Sequence, residues 1–216
     1  MHCLSVALPW IAALLVGAAV GRVTATPLIR RLRATVDRLN QLVLHDSLSG
    51  LLNRSGLKDA YLRSAGHDRH LILVDLDAFK RANDQHGHPV GDQVLSAVGR
   101  RLAELAATHG GWAGRLGGDE FAVILPTVTG ATATTVAVAA TAAVAITDLP
   151  TGPLKVSGSA GLAFAPAGYP WTRALTNADI ALYHGKHAGT PITYEPGMTY
   201  PRTPSTRRRA RDDAHQ

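Results

Sequence analysis

A chain of 216 residues has room for one full-sized domain with short appendages, and an apolar content of 46% allows a substantial core. Cys3 is the only cysteine, which excludes an internal disulfide and a cysteine-based zinc site. The formal net charge of +6 belongs to the flanks: residues 22–45 carry five arginines against Asp37 and residues 201–216 five against Asp212 and Asp213, whereas residues 46–200 hold twelve basic and thirteen acidic side chains. A near-neutral middle argues against a nucleic-acid partner, which needs Lys and Arg clustered on the folded body.

Residues 1–21 have no formal charge, with His2 neutral, and read LSVALPWIAALLVGAAV at their centre. About 20 apolar residues suffice to cross a bilayer. A cleaved signal peptide is the rival reading, but no Lys or Arg precedes the apolar run. Positive charge follows it instead, at Arg22, Arg30, Arg31 and Arg33, beside which anionic lipid would sit. The expectation is a single-pass anchor in the inner or cell membrane with the remainder cytoplasmic. Residues 22–45 form a helical connector in which Ile29, Leu32, Val36, Leu39 and Val43 follow the a/d spacing of a coiled coil. About two heptads are too few to be stable alone. Both a short coiled coil and an amphipathic helix lying on its own domain fit this segment.

The predicted body spans residues 46–197. A helix is expected over 56–65 and a buried strand over HLILVDLD, residues 70–77. Val94, Leu95, Val98, Leu102 and Leu105 recur at helical spacing. Residues 112–126 have two strand-like halves around Gly117-Gly118, the pattern of a hairpin. Residues 127–147 are uncharged but rich in Ala and Thr, which suits a buried helix between two strands better than a membrane span. A strand over 154–166, a helix over 176–187 and a closing strand over 192–194 complete a mixed α/β sheet flanked by helices. Residues 198–216 read as a basic, disordered tail.

Three clusters carry the chemistry. Asp75-Leu76-Asp77 ends the buried strand and turns through Ala78-Phe79-Lys80. Carboxylates there can hold Mg²⁺ while the turn meets phosphate, or they can simply cap a helix. Gly117-Gly118-Asp119-Glu120 sits at the hairpin tip, as a tight turn or as a place where ligand and metal approach the backbone. From Asn83 to Asp92 a polar loop can present amide and carboxylate groups to the N–H donors of guanine, or can merely lead into the next helix.

Taken together, DLDAFKRANDQHGHPVGDQVL (75–95), RLGGDEF (115–121), the opening DSLSGLLNR (46–54) and ADIALYHGK (178–186) resemble the GGDEF family of diguanylate cyclases. The resemblance covers residues 46–191 and implies a palm-like α/β fold with the GGDEF hairpin at the active site. It implies that Asp75, Asp119 and the Leu76 carbonyl hold Mg²⁺, with Mn²⁺ as an alternative. Asn83, His88 and Asp92 would bind the guanine nucleoside. Backbone at Ala78 and Phe79, with Lys80 and Lys186, would meet phosphates, while Gly117 and Gly118 let the substrate approach. Asp119 would take the proton from the ribose 3′-OH, with Glu120 required beside it. The activity implied is condensation of two GTP into cyclic di-GMP and two pyrophosphates. Each domain would hold one GTP, so turnover needs a homodimer.

The sequence departs from the family pattern at Ser49, where Thr is usual, and at Thr190, where an arginine would supply a second phosphate contact. Losing one charge-assisted contact costs about 1.5–3 kcal/mol of binding. The product-inhibition motif RxxD is missing too: Thr108-His109-Gly110-Gly111 stands in its place. The rival readings are a non-catalytic GGDEF domain that binds GTP as a regulatory or scaffold module, and a purely structural membrane protein.

Overall fold

The computed structural model describes residues 43–145 and 156–201, together with Thr26, residues 29–32 and Thr35. The chain divides into two compact units, residues 1–43 and residues 44–216. In the first, the described residues are helical, with Ile29 and Leu32 exposed; Val36 and Leu39 lie outside the described residues.

The anchor expected over residues 1–21 also lies outside the described residues, and among the described residues no helix is long and apolar enough to cross a membrane. The single-pass membrane localisation inferred from sequence is therefore corrected: it rested on the apolar run of residues 1–21 and the arginines after it, and no described helix supports it.

The second unit runs α1 (Arg54–Arg63), β1 (Arg69–Asp77), α2 (Phe79–His86), α3 (His88–Thr108), β2 (Trp112–Gly117), β3 (Glu120–Pro126), α4 (Gly130–Val144), β4 (Ser157–Ala165), α5 (Trp171–Ala188) and β5 (Ile192–Thr193). The sheet order is β2-β3-β1-β4-β5, with β1 antiparallel to both neighbours and β4 parallel to β5, so the sheet is mixed as expected.

β1 is central because it is apolar on both faces. Ile72, Val74 and Leu76 pack in one core with Phe79, Val94, Val98 and Leu102 of α2 and α3 and Val136 and Ala140 of α4. Leu71 and Leu73 pack in the other with Leu57 and Tyr61 of α1 and Trp171, Ala178 and Leu182 of α5. Side chains alternate along a strand, so Asp75 and Asp77 share the α1/α5 face. That places them on the side of Lys186, near the end of α5.

α4 shows how an uncharged Ala/Thr segment makes a surface helix. Ala133, Val136, Ala137, Ala140 and Val144 are buried, while the hydroxyls of Thr134, Thr135 and Thr141 turn back to carbonyls of their own helix. The polar loop expected between Asn83 and Asp92 is instead a corner between two helices: α2 ends at Gly87, whose φ of 84° a side chain rarely adopts, and α3 begins at once with Pro89 in its first turn. α5 starts five residues earlier than expected at Thr176, because Pro170 rather than a polar capping residue precedes it. Met198, Thr199 and Tyr200, expected in the tail, are described beside α5: the Thr199 carbonyl lies 3.1 Å from His184 Nε2, and the Tyr200 hydroxyl donates to Asp179.

Candidate active site

The carboxylates collect where β1 ends beside the β2–β3 hairpin. Antiparallel register sets Asp75 opposite Glu120 on β3 and opposite Ser159 on β4. The Leu76 N–H donates to the Asp119 carbonyl at 3.2 Å, which brings the hairpin tip against the end of β1. Ser159 Oγ donates to Asp77 Oδ1 at 2.9 Å, fixing a fourth acidic side chain. Lys186 Nζ lies 2.7 Å from Asp75 Oδ2.

Beyond Asp77 the chain turns through Ala78 at φ 55°, a left-handed conformation costly for a residue with a Cβ. This turn starts α2 without a side-chain cap, leaving its first N–H groups for solvent or ligand. Gly118, at φ 54°, makes the corresponding bend in the hairpin without that cost.

The electrostatics are those of crowded carboxylates. Burial pushes the Asp75 carboxyl above its ordinary range; Lys186 opposes this, while Asp119 and Asp77 add to it. Glu120 is pushed up by burial, then by Asp75 and Asp179, with Arg54 pulling the other way. Burial would lower the Lys186 ammonium, but the hydrogen bond it donates to Asp75 and the charges of Asp75, Asp77 and Asp119 outweigh it, so it rises.

At the α2–α3 corner, Asn83 Oδ1 is buried without a partner. It lies where only a glycine leaves space: a Cβ on Gly91 would sit 1.8 Å from that oxygen. His88 opens α3 and Asp92 follows one turn later, both exposed. Thr190 lines a cavity of about 290 Å³ together with Asp77, Ser159 and Lys186.

The sequence-predicted residues therefore fall into two groups. Asp75, Leu76, Gly117, Gly118, Asp119, Glu120 and Lys186 lie at one end of the sheet, and Ala78, Phe79 and Lys80 follow on the turn into α2. Asn83, His88 and Asp92 occupy the helix corner.

Sequence reasoning assigned no role to Arg115, although it lies in the quoted hairpin motif. Its Nε and Nη2 donate to the Gly118 carbonyl at 2.9 and 2.7 Å, and its Nη1 reaches both oxygens of Asp46 at 3.1 and 3.2 Å. Asp46 is itself held by the N–H and Oγ of Ser49, at 2.8 and 2.7 Å, so Ser49 makes both bonds that a threonine would. Burial pushes the Asp46 carboxyl up, but the Ser49 bonds and Arg115 together hold it below its ordinary value. Arg54 and Asp179 were likewise unassigned. They line, with Glu120, Thr176 and Leu175, a cavity of about 220 Å³ on the α1/α5 side of the hairpin.

Comparison with known proteins places the folded unit in a family. The family model described as "Diguanylate cyclase, GGDEF domain" covers residues 43–191. An uncharacterized signaling protein of Caulobacter vibrioides is 36% identical over 178 residues, covering 76% of this chain and 21% of that protein. Diguanylate cyclase VdcA of Vibrio cholerae is 43% identical over 104 residues, covering 47% of this chain and 30% of that protein. The chain thus spans under a third of the length of these curated relatives. Among solved structures, the coiled coil and GGDEF domain of DgcB from Caulobacter crescentus, in complex with c-di-GMP, aligns with a TM-score of 0.70 at 27% identity, covering 82% of this chain and 98% of that one. With the family model matched across most of the folded unit, the chain belongs to the GGDEF family, whose description is that of diguanylate cyclases.

Proposed function

We propose that the chain is a diguanylate cyclase that condenses two GTP into cyclic di-GMP, releasing two pyrophosphates. The observation that carries this reading is the register pair Asp75–Glu120, with Asp119 at the adjoining hairpin tip and Lys186 beside it.

The donor set fits a hard divalent cation. Asp75 and Asp119 offer carboxylate oxygens, the Leu76 carbonyl would add another oxygen, and burial raises Asp75 where a cation would offset the cost of its charge. Among the described residues no three His, Cys, Asp or Glu gather into a metal cluster. Mg²⁺ suits such a site, because it is commonly held by one or two carboxylates and completed by substrate phosphates. When bound, Mg²⁺, or Mn²⁺ in its place, lowers the pKa of the attacking hydroxyl and offsets phosphate charge.

The chain's own residues do the rest. Asn83, His88 and Asp92 hold the guanine nucleoside; their placement together at the corner between α2 and α3 supports this. The N–H groups at Ala78 and Phe79 face phosphate, with Lys80 and Lys186 supplying charge. Gly117 and Gly118 keep side chains away from the nucleotide. Asp119 accepts the proton of the ribose 3′-OH, with Glu120 beside it. The 3′-oxygen then forms a bond to the α-phosphorus of the second GTP as the bond to the pyrophosphate oxygen breaks. The same step in the opposite direction closes the ring. Two domains must face each other for this, and the helical connector before residue 46 is the segment that would pair them. Positioning both nucleotides in line supplies much of the rate. With Thr108 and Gly111 where the inhibitory Arg and Asp would stand, micromolar cyclic di-GMP leaves turnover unchanged.

One observation favours a second reading, a GTP-binding module without turnover: Thr190 brings no charge to the cavity beside Lys186.

The test is to incubate the full chain with GTP and Mg²⁺ across a range of protein concentrations, measuring cyclic di-GMP and pyrophosphate. Product absent in Asp119→Ala, with specific activity rising with protein concentration, is the expected result. GTP binding without product at the highest concentration establishes the second reading instead.

A further inference from the structure

We propose that Arg81 binds the terminal phosphate of the nucleotide and supplies the cation that position 190 lacks, an assignment that rests on reading this end of the sheet as a GTP site.

The strands β1 and β4 close on the register pair Asp77–Ser157. Two cavities share that pair as a wall. One, of about 290 Å³, also holds Lys186 and Thr190. The other, of about 280 Å³, also holds Ala78, Arg81 and Gln85. Lys186 therefore approaches the pair from α5, and Arg81 approaches it from α2. A nucleotide whose inner phosphates meet the Ala78–Phe79 turn and Lys186 would carry its terminal phosphate to this wall. Lys80 lines neither cavity, which leaves it for the phosphates nearer the nucleoside.

The position of Arg81 on its helix sends it the right way. A helical side chain covers the turn N-terminal to its own Cα. From the first turn of α2 that direction leads back to Asp77 and Ala78, the residues with which Arg81 lines its cavity. Its charge is also unspent. Arg81 is exposed and forms no ion pair and no side-chain hydrogen bond with the described residues, although Asp77 shares its cavity and Asp84 follows on the same helix. Asp77 is engaged by Ser159 instead.

A guanidinium suits the task that a threonine cannot perform. It presents a planar fork of donors with a fixed charge, which pairs with two oxygens of one phosphate. Thr190, at the far wall, offers a single hydroxyl. An arginine at position 190 and Arg81 would serve the same phosphate from different elements, so each should compensate for loss of the other.

Isothermal titration of the full chain with GMP and with the α,β-methylene analogue of GTP, which cannot release pyrophosphate, tests this with Mg²⁺ present. Arg81→Gln should weaken the analogue about tenfold and leave GMP unchanged, because GMP lacks the outer phosphates. Thr190→Arg should restore most of that loss in the Arg81→Gln protein and improve the unaltered protein by less. Lys155→Gln, which removes a nearby cation of the chain outside the described residues, should change neither affinity. Equal affinity of the analogue for Arg81→Gln and the unaltered chain, an equal loss for GMP, or a loss found in Lys155→Gln instead would overturn the role of Arg81 and leave the cyclase reading to its turnover assay. Failure of the unaltered chain to bind either nucleotide would overturn both.

Discussion

β1 bears ionisable side chains at both ends of one apolar run, and the molecule treats the two ends oppositely. At the start, Arg69 is fully buried and makes no ion pair among the described residues. Its guanidinium lies 4.1 Å over the Tyr61 ring and donates to the carbonyls of Tyr61 and Pro166 at 3.4 and 3.3 Å. Carbonyl dipoles and a π face thus accommodate the charge, and the result ties α1 to the turn after β4. At the far end, Asp75 shares its space with Asp77, Asp119 and Glu120 and has the single ammonium of Lys186, itself 42% exposed. One end spends its polar contacts on holding the fold. The other concentrates like charge that destabilises the empty protein and suits only a cationic ligand.

The sharpest way to break this contrast is at the hairpin tip. Asp119→Ala should lower GTP turnover on the order of 10³-fold while the protein remains folded, as circular dichroism and a cyclic di-GMP assay would show together. Arg69→Ala should do the reverse. It removes a large buried side chain and leaves carbonyls without donors, so urea unfolding should report a loss of about 3–5 kcal/mol, with the folded fraction turning over normally.

A smaller effect separates holding the site from performing its chemistry. Arg115→Met cuts the hairpin tip loose from Asp46 without touching the carboxylates. A misplacement of about 1 Å can cost up to 10²-fold, so kcat should fall by about ten- to a hundredfold with little change in KM. An equal fall in kcat/KM caused wholly by KM would instead place Arg115 in substrate binding.

The smallest effect is read through pH. The Asp46 carboxyl is held below its ordinary 3.8 in the folded protein, so its contribution to stability is present above that value and is lost as pH falls through the folded pKa. Asp75 has the opposite sign: its pKa is raised, so its charged form costs stability at neutral pH, and that cost is relieved as pH falls through the raised value. Asp46→Asn should therefore flatten the acid limb of the stability curve below about pH 4, measured by urea unfolding at successive pH values.

How much of this was legible in the sequence depends on the range of the interactions. β1 and the β2–β3 hairpin stood out because an apolar run ended in two Asp residues and because two glycines separated two strand-like halves. The family motifs brought Asp75, Asp119 and Lys186 together although they are far apart in the chain. The helix corner at Gly87 was read as a loop because Gly and His-Pro signal turns, and only the positive φ of that glycine shows how two helices meet there. Arg115 was read as part of a motif without a role, since its partner Asp46 lies 69 residues away. That His70, 5% exposed, would bury its Nδ1 without a partner was invisible for the same reason: burial of the ring depends on residues distant in the chain. The membrane expectation rested on composition alone and found no support among the described helices.

The central claim is that the carboxylate end of β1 is built for chemistry at the expense of stability, and Asp75→Asn tests it most directly. Its thermal midpoint and its GTP turnover would be measured on the same preparation of the full chain. Loss of the pair with the half-exposed Lys186 costs little, while removing the largely buried charge of Asp75 relieves the crowding. The account predicts an unchanged or higher midpoint with turnover reduced on the order of 10²–10³-fold. A midpoint lowered by several degrees with turnover retained would contradict it.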